Sequence, residues 1–162
     1  MRHARLGYWS AVAVAFFMAS SGAVADYVPP TPAEDVACAF HRPMRDIERL
    51  ASLPAPVRQI LDAHVGPMAE RGAFFNSTDV ILREAPGRRF IRAGESGSKW
   101  FVAYETGGIA YHKTAIILAP GDRGGELQVT AHSGYYKRPL CAVVEDLLDG
   151  RSPDKGLPQD FR

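Results

Sequence analysis

Residues 99–136 (KWFVAYETGGIAYHKTAIILAPGDRGGELQVTAHSGYY) contain three runs rich in β-branched and aromatic residues, 99–105, 109–119 and 126–136. Between them stand Thr106-Gly107-Gly108 and the glycine-rich residues 120–125. Connections this short join antiparallel neighbours, because a parallel crossover needs about a dozen residues or more. Upstream, residues 88–93 alternate in polarity and lead through the loop 94–98 (GESGS) into the first run. A further short strand is expected at 79–82, before the Pro86-Gly87 turn signal. The expectation is an antiparallel meander of four to five strands.

The flanking segments have helical spacing. Thr31-Pro32-Ala33-Glu34 reads as a capped helix start, and that short helix carries Cys38 to about His41, before Pro43. Met44, Ile47, Leu50 and Ala51 share one helical face. Val57, Ile60, Leu61, Val65 and Met68 form the clearest amphipathic stripe, with His64 on it as a partly buried histidine and Gly66-Pro67 as a weak point. Leu140, Val143, Val144, Leu147 and Leu148 predict a C-terminal helix ended by Gly150. The fold class expected is α+β, with N-terminal helices and a C-terminal helix covering one face of the sheet and the other face wet.

With Ala119 and Leu127 flanking the last turn, facing residues share parity. Ala115, Ile117, Ala119, Leu127, Val129 and Ala131 then form an apolar core side. His112, Thr114, Gln128, Thr130, His132 and Tyr136, with Ile116 and Leu118, form a mostly polar side that places His112 and His132 on a diagonal.

The first 25 residues differ in kind. Arg2 and Arg5, the apolar run 11–19 and Ala23-Val24-Ala25 have the order of a secretory signal cleaved before Asp26. The run is too short to span a bilayer, so no transmembrane segment is expected after cleavage. Residues 26–150 then form a single domain and 151–162 a flexible tail. Removing the two leader arginines from the 19 basic residues leaves them one short of the 18 acidic ones. That balance gives no general attraction to nucleic acid. Periplasmic or secreted location makes a Cys38–Cys141 disulfide the expected state of the two cysteines. The competing reading is a reactive Cys141 at a helix N-terminus.

Catalytic and metal signals are incomplete. His112 and His132 could serve as two zinc ligands or as a base and its partner in a small cell-envelope hydrolase. A third ligand, such as His41 or Glu126, would have to arrive by folding. Ser133 lacks the G-x-S-x-G setting of a nucleophile elbow. The glycine-rich turns precede no helix, so they are not phosphate cradles, and no cofactor motif is present. Glu145, Asp146 and Asp149 read as the solvated side of the last helix. Arg83, Arg88, Arg89, Arg92 and Lys99, interleaved with Phe90, Trp100 and Phe101, could bind an anionic partner or guard a strand edge.

The layout is similar to that of periplasmic lysozyme-inhibitor proteins, which also place a sheet between helices. The short cysteine-bracketed inhibitory loop of that family is missing from this chain. The reading is an exported small binding or accessory protein, an inhibitor or envelope-associated partner, acting on a protein or cell-envelope glycan. Its expected surface is His112, Thr114, Gln128, Thr130 and His132, or the neighbouring Arg88, Arg92 and Trp100. The hydrolase using His112 and His132 is the alternative.

Overall fold

The computed structural model describes residues 31–79, 84–121 and 125–151. The expected signal segment, the strand positions 80–82, Arg83 and the tail from 152 onward lie outside the described residues. Elements follow in the order α1 (Ala33–Ala37), β1 (Arg45–Ile47), a 3-10 turn (Leu50–Ser52), α2 (Ala55–His64), β2 (Arg88–Ser96), β3 (Lys99–Thr106), β4 (His112–Pro120), β5 (Leu127–Tyr135) and α3 (Leu140–Leu148). The sheet is a five-stranded meander in the order β1-β2-β3-β4-β5, every pairing antiparallel. The α+β class and the meander are as the sequence predicts.

The fifth strand comes from a different place. Residues 45–47 were expected within a helical face, yet they pair with Ala93–Glu95 at the outer side of β2. Arg45 binds Glu95 across that pair, and Met44 packs beside Gly94. Pairing to an existing strand outweighs the helical periodicity of so short a segment. Further along the same edge, Ala69 bridges Arg89 in parallel, with backbone bonds Ala69 N–H to Arg88 O and Phe90 N–H to Ala69 O. α2 stops at His64 because Gly66-Pro67 cannot continue it. His64 is exposed there, not partly buried as expected.

Both faces of the sheet are covered, which corrects the expectation of a wet face. Val57, Leu61 and Val65, with Leu53, pack against Phe90, Val102, Tyr104, Ile116 and Leu118. On the opposite face Leu140, Val143, Val144, Leu147 and Leu148 of α3 cover Ile91, Phe101, Ala103, Ala115, Ile117 and Tyr135. Each such aliphatic side chain, fully buried, contributes about 1.5–3 kcal/mol. The reason lies in the strands: Ile116 and Leu118 interrupt the polar side of β4, and apolar area that large needs a cover.

The register of the last hairpin explains the rest. Near the turn Leu118 faces Val129 and Pro120 faces Leu127; beyond a bulge at Thr130, Ile117 faces Ala131 and Ile116 faces His132. A bulge moves every following side chain to the other face. Leu127 and Val129 therefore join the α2 face, while Ala131 joins the α3 face.

The disulfide Cys38–Cys141 ties the segment after α1 to the first turn of α3, with Cα atoms 5.9 Å apart across 103 residues of sequence. Closing a loop of that length in the unfolded chain is worth about 4–5 kcal/mol in the chain-entropy model.

Candidate functional site

The expected polar surface does not assemble. His132 faces Ile116, while His112 lies four residues further along β4, opposite the region just past Tyr135. At about 3.3 Å per residue that is roughly 13 Å, too far for two imidazoles to share a metal or a proton. Among the described residues no three His, Cys, Asp or Glu side chains converge as ligands. Thr114 is buried, and Gln128 and Thr130 are exposed at the start of β5.

The basic hairpin is structural as well. Arg92 is 8 % exposed and its guanidinium chelates Asp46, reaches the carbonyl of Cys38 and lies over the Phe40 ring. Trp100 is buried, with the Arg45 guanidinium over its ring. Lys99 donates to the carbonyl of Leu148, where the last carbonyls of α3 lack helical partners. Arg88 is half-buried, and its Nη1 approaches Gly66.

A different feature runs straight across the sheet. Arg89 pairs with Glu105, Glu105 with Lys113, and Lys113 with Tyr135, one residue from each of β2 to β5. All four are buried. Arg89 Nε donates to Glu105 Oε1 at 2.7 Å, and its guanidinium stacks on Phe75. Lys113 Nζ lies over the Tyr135 ring and donates to Asp35 Oδ2 of α1 at 2.7 Å, with Glu34 at 3.4 Å. Asp35 is itself fully buried, and burial pushes its carboxyl above the ordinary carboxylate range while Lys113 pulls it back. Two cations and two buried carboxylates thus neutralise one another in a low-dielectric layer, where either one alone would be costly.

The row ends at a braced loop. Residues 107–111 join β3 to β4 at the end of the sheet where Arg88 and Tyr135 also lie. Tyr111 turns inward and its hydroxyl donates to the remaining oxygen of Glu105 at 2.7 Å. Burial, then that neighbouring carboxylate, raises the Tyr111 phenol well above its ordinary value, so it stays a donor. His112 Nδ1 lies 2.6 Å from Ala110 O, which fixes the loop against its own strand. Gly107 N–H donates to Gly87 O, and the backbone of Asn76 passes so close that a Cβ on Gly107 would come within 1.9 Å of its carbonyl oxygen. Gly108 has φ 97°, which admits the turn.

What the braces hold out is Ile109, 92 % exposed. An isolated exposed isoleucine is unremarkable on a floppy loop. Here the loop is tied at Gly107, at Tyr111 and at His112, so the backbone on both sides of Ile109 is held. Of the residues expected to form the surface, only His112 adjoins this loop. Ile109, Tyr111, Glu105, Lys113, Asp35 and Tyr135 were not singled out from the sequence. The available signal was a charge on each of three neighbouring strands, Arg89, Glu105 and Lys113, which becomes a row only once register is known.

Comparison of the chain with protein-family models, with curated proteins and with solved structures finds no match.

Proposed function

We propose that this chain is an exported small binding protein, and that the 107–111 loop is its contact with a protein partner. The observation that carries the reading is the almost fully exposed Ile109 on a loop anchored beside it to a buried ionic row. Pre-organisation of this kind lowers the entropy lost on docking, and one apolar anchor entering a pocket supplies much of an interface's energy. The disulfide is compatible with an oxidising compartment, and export to the periplasm or beyond is part of the proposal.

A protein partner fits better than a glycan, because an aliphatic side chain at the tip suits an apolar pocket and offers a sugar no hydrogen bond. The hydrolase reading has no comparable support, since His112 is spent on the loop and His132 lies on another part of the sheet. Affinity capture from the native host's envelope and secreted fractions tests the proposal. A partner retained by the wild-type protein and lost with Ile109→Asp supports it. The same partner set recovered with both proteins overturns it.

A further inference from the structure

We infer that two copies of this chain pair through β5, forming one continuous sheet with a two-fold axis perpendicular to it. The edge involved is that of β5 and not the 107–111 loop, although its Tyr135 end lies at the loop's end of the sheet. β5 ends the strand order, and its nine residues, LQVTAHSGY, include no Asp, Glu, Lys, Arg or Pro. Exposed edges of that length are commonly blunted by charge, proline or a bulge, and of these β5 carries only the bulge at Thr130. The opposite edge shows such protection: β1 has three residues, two of them Arg45 and Asp46, and Ala69 covers part of what remains. In an isologous pair each strand meets its own sequence, so an uncharged strand is what self-pairing requires.

A second feature selects another copy of this chain as the occupant. Tyr136, directly after β5, is 73 % exposed. Alternation from His132, which faces Ile116 on the α2 side, carries Tyr136 to that same side. At the other end of β5 an open cleft of about 580 Å³ is lined by Pro56, Ile60, Ala63 and His64 of α2 and by Glu126 and Leu127. Directly opposed residues share a face, so the bulge sets the axis between Ala131 and His132, and Tyr136 then stands opposite Leu127 of the second copy, both on the α2 side. The axis keeps both α2 helices on one side of the joint sheet, so each tyrosine arrives at the other copy's cleft. Ring and cleft are thus reciprocal, and the chain is complementary to itself at both ends of the strand. The bulge at Thr130 interrupts the ladder near the axis, so the joint rests on residues 127–129 of each copy against 134–136 of the other.

Sedimentation velocity of the oxidised protein over a concentration series tests this. The wild type is expected to show a reversible monomer–dimer equilibrium. Tyr136→Asp, at an exposed position, is expected to weaken self-association about tenfold or more. Circular dichroism and intact mass establish that the variant is folded and cross-linked. A wild type that stays monomeric throughout, or a dimer indifferent to Tyr136→Asp, would overturn the inference. So would capture at β5 of a foreign strand in place of a second copy.

Discussion

Asp35→Ala removes one carboxylate from the buried row and leaves the Lys113 ammonium behind. The two atoms stand 2.7 Å apart, with side chains 0 % and 6 % exposed. At an effective dielectric near 20 their attraction is roughly 6 kcal/mol, most of it offsetting the desolvation of both ions. Deleting one partner of such a pair costs about 3–5 kcal/mol, because the survivor keeps its desolvation penalty. Glu34, 3.4 Å from the ammonium and 66 % exposed, compensates in part, so a loss near the lower end, about 3 kcal/mol, is expected. Lys113→Met leaves the opposite remnant, a carboxyl already pushed upward by burial, which can take a proton and so costs less. The double variant Asp35→Ala/Lys113→Met removes both charges and keeps an apolar stem in the layer. It should be less destabilised than the sum of the singles, with a coupling of about 2 kcal/mol. Urea unfolding with the disulfide intact, followed by circular dichroism, gives all four free energies. Additive single effects, or an Asp35→Ala cost under about 1 kcal/mol, would show that the row is not an electrostatic unit.

Other consequences are equally direct. Tyr111→Phe strips Glu105 of one donor and should speed hydrogen exchange of the 107–111 amides, at a stability cost of about 1–3 kcal/mol, while the rest of the sheet stays protected. Cys38→Ala/Cys141→Ala should lower stability by about 4 kcal/mol and leave the sheet signature of the circular dichroism spectrum intact, since neither cysteine is in a strand. The backbone and then the ring of His41 hold the Glu145 carboxylate below its ordinary 4.5. The folded state therefore binds fewer protons than the unfolded one, and this stabilisation is complete above 4.5 and lost as pH falls through the folded value. Melting temperature measured through that acid window should fall less steeply for Glu145→Gln than for the wild type. Equal slopes would show that this contact does not couple to folding.

Much of the architecture is legible in the residues because its causes are local. Glycine-rich turns at 106–108 and 120–125 dictate antiparallel neighbours, and the spacing of Leu140 through Leu148 dictates α3. The disulfide follows from two cysteines in a chain with an export-like start. What local reasoning could not supply is register. A one-residue difference at the 120–127 turn, then the bulge at Thr130, moved Leu127 and Val129 to the α2 face and separated His132 from His112. Register also hid the ionic row, because Arg89, Glu105 and Lys113 are 16 and 8 residues apart in sequence and look like unrelated charges. The arginines at 89 and 92 were legible as a cluster. That they face inward depends on Glu105 from β3 and Asp46 from β1, which no spacing rule connects to them. Ile109 was indistinguishable from any strand residue until the chain was seen to leave the sheet at Thr106 and rejoin it at His112.

Contact of Ile109 with a protein partner, as proposed, is open to direct capture. A photo-crosslinking amino acid at position 109, compared with the same probe at Arg58 on the exposed side of α2, tests it in the native host's own fractions. A discrete protein adduct is expected from position 109 and not from position 58. No adduct from position 109, or the same adducts from both positions, would contradict it.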